Sequence, residues 1–225
     1  MTIPPATSAS TSAVPEPDRA SVVRRMTLRG VPWSVYEQLL EVVGDGFPRM
    51  AYDRGMLEME MFSQRHEGLK WIVSRFIEAY AEVSGIELGP VGSMTCRRQS
   101  IAGGLEPDEA YYFQNHVRAR GREIDLEVDP PPDLAVEIDL CRPDVEKASI
   151  YARLGVPEIW RCRGGRLSVL ALNASGSYAE VRRSIALPDF ALDELREALD
   201  GYPQAESLRA VEAFRRRLRE KLPRG

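Results

Sequence analysis

The spacing of apolar positions changes period several times along the chain, and each change marks an element. Residues 32–44, PWSVYEQLLEVVG, predict a helix, with Pro32 suited to its first turn and Gly44 to its end. Residues 49–62 alternate on both sides of Asp53-Arg54-Gly55 and predict a hairpin, since Gly supplies the positive φ that such a turn needs. A longer helix follows. Leu69, Ile72, Val73, Phe76, Ile77, Tyr80 and Val83 recur at helical spacing, Ser63 can cap its start, and Gly85 can end it. Strands are predicted over 93–104 (SMTCRRQSIAGG), 105–113 (LEPDEAYYF) and 134–140 (LAVEIDL). Between the last two, residues 115–129 are charged and read as a mobile loop carrying Arg118, Arg120 and Arg122. A helix is predicted over 144–154, between Pro143 and Gly155, and then strands 158–162 and 166–172 around a glycine turn. Residues 177–187 can add a strand, and 189–199 and 205–222 close the chain as helices.

The central order is helix, three strands, helix, strand, which is an α/β pattern with a mixed sheet. Residues 1–25, rich in Pro, Ser, Thr and Ala, predict a disordered arm. The folded domain is expected over 26–200, and 201–225 hold a basic amphipathic helix. No run is long and apolar enough for a membrane span or a signal peptide, and the odd, sparse cysteine count fits a reducing cytoplasm, which is the expected location. The 225 residues carry a net charge of −4, which argues against a protein that coats nucleic acid by bulk charge. Cys96, Cys141 and Cys162 are isolated, and His66 and His116 are the only histidines, which argues against a zinc finger or ribbon.

The strand over 134–140 holds the candidate chemistry. Alternation puts Leu134, Val136, Ile138 and Leu140 on one face and Ala135, Glu137 and Asp139 on the other. Glu137 and Asp139 lie roughly 7 Å apart, twice the rise per residue. Buried like charges at that distance call for a proton or a cation between them, and a hard ion such as Mg²⁺ prefers carboxylate oxygen. Asp108, after Pro107, is placed to add a carboxylate from the next strand, and Glu67, at the start of the long helix, could add a fourth. Each has a plainer reading. Asp108 suits a turn, Glu137 and Asp139 suit a solvated strand face, Glu67 suits a helix N-terminus, and Lys147 is by default a solvated helix lysine. Tyr111, Tyr112 and Trp160 read as packing residues rather than as a stacking platform.

An aspartate after proline, a strand with Glu-x-Asp, and this element order together resemble the PD-(D/E)XK nuclease superfamily. Within it, GMLEMEM, RHE, LEPDEAYY, PPDLAVEID and IYARLGVPEIW resemble, in order, the blocks of the Uma-type putative restriction endonuclease family, over roughly residues 31–195. The resemblance implies a restriction endonuclease-like core and a Mg²⁺-dependent endonuclease of DNA, with Mn²⁺ as the alternative ion and a homodimer as the working unit. It implies that Asp108 and Glu137 hold the metal, with a backbone carbonyl near Ile138, and that a lysine orients the attacking water. Where that lysine is expected, two residues after Glu137, this chain has Asp139. Either Lys147 reaches back from the following helix, or Asp139 acts itself as ligand or base. Arg142 is a further departure, because it could pair with either acid. An inactive interaction or nucleic-acid-binding module on the same scaffold is therefore the rival reading.

Overall fold

The computed structural model describes residues 24–44, 46–203 and 206–221. A six-stranded sheet holds the centre. Its strands are β4 (Gly89–Pro90), β7 (Glu109–Tyr112), β8 (Leu134–Asp139), β9 (Glu158–Arg163), β10 (Arg166–Leu172) and β11 (Tyr178–Val181), in the order β11-β10-β9-β8-β7-β4. β8 and β9 run parallel and the other neighbours antiparallel, so the sheet is mixed. The parallel pair needs a crossover, and α3 (Lys147–Leu154) supplies it. With α2 (Gln64–Ser84) before β4, the order is helix, three strands, helix, strand.

The alternation of β8 sorts its side chains as expected. Leu134, Val136 and Ile138 pack with Ile72, Val73, Phe76 and Ile77 of α2, while Ala135 faces Ile150, Tyr151 and Leu154 of α3. Ser63 accepts from the His66 N–H to cap α2, and Gly85, in the left-handed region, ends it. Two helices complete the α2 layer. α4 (Leu192–Asp200) and α5 (Ser207–Lys221) add Leu195, Leu199, Val211, Phe214 and Leu218 to the same core, with the Phe214 ring 4.7 Å from that of Phe76. The basic C-terminal helix is thus packed on the central sheet's helical layer, and residues 222–225 lie outside the described residues.

A second sheet, in the order β1-β3-β2-β6-β5, joins β1 (Arg24–Arg29), β2 (Arg49–Asp53), β3 (Met56–Met61), β5 (Cys96–Arg98) and β6 (Gly103–Leu105). β2 and β3 form the expected hairpin, with Arg54 and Gly55 both at positive φ in its two-residue turn. α1 (Trp33–Val43) covers one face through Tyr36, Tyr52 and Leu57. Glu58 and Glu60 alternate with Leu57 and Met59, so they face the other way, and both are buried.

Four expectations need correction. The strand expected over 93–104 is two short strands, β5 and β6, in this second sheet, and β4 supplies the first strand of the central one. Residues Gln99–Ile101 break it as a 3-10 turn that ends at Ala102 with φ of 44°. The helix expected from 144 begins at Lys147: Glu146, with ψ of 86°, lies outside the helix, and the N–H groups of Asp144 and Val145 before it go to Glu58 of the other sheet at 2.5 and 3.2 Å. Through residue 23 the expected arm lies outside the described residues, but Arg24 and Arg25 belong to β1, paired with Met61 and Glu60. The arginine loop is tied down: Arg122 clasps Asp129, Arg120 meets Glu87, and the Leu126 carbonyl takes Arg98.

Candidate active site

Pro107 has no N–H to give to a ladder, and the residue after it compensates. The Asp108 N–H donates to the Val136 carbonyl at 3.1 Å, and its Oδ2 accepts the Ile138 N–H at 2.7 Å. The aspartate side chain thereby extends the β7–β8 pairing by one rung and is locked beside β8. It is 3 % exposed. Its other oxygen, Oδ1, lies 3.1 Å from His66 Nε2 but is not aligned for a hydrogen bond, so both atoms are buried without a hydrogen-bond partner. Burial alone would raise the Asp108 pKa, but His66, the charge of Lys147 and the Ile138 N–H outweigh it and the net shift is downward. Burial by itself would lower the pKa of His66, but Asp108 and Glu67 outweigh it and raise it.

Glu137 lies on the α3 side of β8 and is almost fully buried. Lys147 Nζ donates to its Oε2 at 2.6 Å, and the Tyr151 hydroxyl donates to its Oε1 at 2.5 Å. Lys147 and Tyr151 are one turn apart on α3, so a single helix face delivers both donors. Burial is the main cause that raises the Glu137 pKa, to about 7; Asp108 and Asp139 add to it and Lys147 opposes it. Burial would by itself favour the neutral amine of Lys147, yet Glu137, Asp108, Asp139 and Glu60 together shift it upward. One ammonium faces several carboxylates. It therefore keeps its proton, while burial pushes Glu137, and Glu60 with it, toward neutrality.

Asp139 is also buried, and its Oδ2 meets Arg163 Nη2 at 3.0 Å. The parallel register places these two residues opposite each other on β8 and β9. The charge beside Asp139 is therefore Arg163, and the Arg142 backbone carbonyl instead accepts from Arg25 at 2.7 Å. Asp108, Glu137, Asp139 and Lys147 form one cluster. Glu67 does not join it. Neighbouring helix positions differ by about 100° in direction, so when His66 faces Asp108, Glu67 turns outward. Its side chain is 45 % exposed and meets Lys70 at 3.0 Å, with its other oxygen 3.4 Å from His66 Nδ1, the ring nitrogen other than the Nε2 that faces Asp108.

Sequence reasoning passed over Tyr151, Glu60 and Arg163. Tyr151 had a signal, its place four residues after Lys147. Glu60 and Arg163 had none, because both depend on which strands pair. Arg25 reaches Glu60 at 2.7 Å and Glu58 at 3.5 Å and offsets those two acids at the cluster's edge.

Among the described residues, no three His, Cys, Asp or Glu side chains converge in a group that could hold a metal ion. The donor chemistry still fits a hard divalent cation. The donors are carboxylate oxygens, Asp108 Oδ1 is buried without a hydrogen bond, and Asp108 and Asp139 add to the upward push that burial gives Glu137.

A family model described as "Putative restriction endonuclease", Uma2, matches residues 33–202. No curated protein matches. Among solved structures, one match is described as a putative nuclease belonging to DUF820 from Anabaena variabilis ATCC 29413. It is 14 % identical, with a TM-score of 0.47, and the match covers 68 % of this chain and 92 % of that one.

Proposed function

This chain belongs to the Uma2 family of putative restriction endonucleases, and from that premise we propose that it is a divalent-metal-dependent endonuclease of DNA. The observation that carries the reading is the 2.6 Å contact between Lys147 and Glu137, inside a buried group that includes Asp108. That contact supports Lys147 as the lysine that the strand itself lacks.

Asp108, Glu137 and the Ile138 carbonyl would hold Mg²⁺, with Mn²⁺ as the substitute. When bound, the ion supplies positive charge against the phosphate under attack and makes water a better nucleophile near neutral pH. The remaining work falls to the protein. The Ile138 N–H fixes one oxygen of Asp108, which leaves Oδ1 for the ion. Tyr151 fixes Glu137 from the helix side. Lys147 stays protonated among its carboxylates, so it donates a hydrogen bond to the attacking water or to a phosphate oxygen and does not act as the base. Asp139, occupied by Arg163, shapes the field of the cluster. A second copy of the chain would provide a centre for the other strand of a duplex.

The test is cleavage of supercoiled plasmid with Mg²⁺ or Mn²⁺, read beside the melting temperature with and without metal. Cleavage and a metal-dependent rise are expected in the native chain, and both are lost in Asp108→Asn and Glu137→Gln. The mass in solution should be that of a dimer. If neither cleavage nor a metal-dependent rise is seen, the inactive binding module is the better reading.

A further inference from the structure

Phe47, in the bend between α1 and β2, is 55 % exposed and belongs to none of the three apolar cores. Its ring lies 6.1 Å from that of Phe62 at 90°, and Phe62 stacks on His66 at 3.8 Å and 8°. His66 Nε2 in turn stands 3.1 Å from Asp108 Oδ1. A file of three rings thus runs from solvent to the candidate active site. The Arg49 guanidinium lies 5.5 Å from the Phe47 centroid. Arg49 and Phe62 also line the small cavity that Lys147 and Glu60 border.

A single exposed aromatic residue is ordinary on a protein surface. This one differs because it continues into the site, and because charged side chains, Arg49, Glu60 and Glu106 among them, lie around that cavity beside Met50 and Ala51. A protein partner would need a broader apolar patch. A nucleobase needs a flat ring or guanidinium to stack on and a cation for the phosphate beside it; Phe47 offers the ring, and Arg49, which also meets Glu106 at 3.3 Å, offers the cation. A base can stack there only if it is out of its duplex stack.

We propose that Phe47, with Arg49 over it and Phe62 behind it, is a stacking subsite for an unpaired nucleobase of the strand being cut. The preferred substrate is then a single strand, or a duplex with an unpaired base at the cut. The proposal rests on the nuclease reading above and narrows its substrate.

The test is fluorescence anisotropy with labelled DNA and the Glu137→Gln chain, in which cleavage is blocked. Three ligands are compared: a single strand, a perfect duplex, and the same duplex with one bulged base. Tighter binding of the single strand or the bulge is expected, and the two arms say which form the subsite takes. Adding Phe47→Ala should weaken binding of the preferred ligand about tenfold and leave the perfect duplex and the melting temperature unchanged. Phe47→Trp should keep the affinity, and binding should quench a new component of tryptophan fluorescence. Equal affinities for all three ligands, or an unchanged affinity in Phe47→Ala, would overturn the subsite even where the native chain cuts plasmid. A dimer that dissociates in Phe47→Ala would overturn it in favour of a contact between copies. If no DNA is bound and none is cut, the nuclease reading falls with it.

Discussion

Glu137 has two protein donors, the ammonium of Lys147 and the phenol of Tyr151, yet burial still pushes its carboxyl up. Removing Lys147 or Glu137 alone should therefore hurt in a way that removing both does not. Lys147→Met leaves a buried carboxylate without its cation, and breaking a buried pair from one side costs about 3–5 kcal/mol. Glu137→Gln combined with Lys147→Met removes the uncompensated charge and should recover a large part of that loss. Urea denaturation of the two single variants and the double variant measures this; simple additivity would mean that the pair is not coupled. Cleavage should fall about 10²–10³-fold in Lys147→Met, the scale for loss of one donor aimed at developing charge. At this scale the sequence was informative where chemistry is local. Asp108 and Glu137 stand out because acids interrupt apolar strands. His66 and Glu67 are adjacent, and only the rotation of α2 decides which of them turns inward. Arg163 could not be seen without the β8–β9 register.

The position of α3 depends on an interaction from the other sheet. Glu58 on β3 accepts the N–H groups of Asp144 and Val145 and so anchors the segment that leads into α3, whose first turn holds the lysine. Replacing Glu58 by Leu leaves two N–H groups without that acceptor and should cost about 1–3 kcal/mol. It should also lower cleavage, although Glu58 makes no contact with Glu137 or Asp108 among the described hydrogen bonds and ion pairs. Amide exchange at Asp144 and Val145 should become faster than in the native chain. Native exchange rates there, together with full cleavage, would show that α3 holds its own start. Pro143 and Asp144 form a sound local start signal, but Glu146, with ψ of 86°, still lies outside the helix. The hairpin around Gly55 and the long helix from Ser63 to Gly85 were legible because their signals are local. β5 and β6 were legible as extended segments but not as members of the second sheet, since alternation says nothing about which partner a strand takes.

The molecule as a whole places a surplus of acids between two sheets, and its stability should follow pH and metal together. Burial raises the pKa of Glu137 from the usual carboxylate value to about 7, and it also raises those of Glu60 and Glu109. A group whose native pKa lies above its unfolded value holds its proton more tightly when folded, so its contribution is complete below the unfolded value and is lost as pH rises through the native one. His66 is raised as well and acts in the same direction. Asp108, shifted down, acts oppositely, but only as pH falls below the ordinary aspartate range. Without metal, stability should therefore fall between about pH 4.5 and pH 7, by up to about 3 kcal/mol from Glu137 alone at 1.36 kcal/mol per pKa unit. A divalent ion favours the ionised carboxylates, so Mg²⁺ should oppose that fall and have its largest effect above pH 7. At a concentration of 100 times its Kd, it adds about 2.7 kcal/mol. Urea denaturation at pH 5.5 and pH 8, in EDTA and in excess Mg²⁺, measures the four values. Glu137→Gln should flatten the EDTA curve and remove most of the Mg²⁺ gain. If native stability in EDTA rises from pH 5.5 to pH 8, Glu137 is already ionised without metal, and the charge surplus assigned to this cluster is balanced by the protein's own cations.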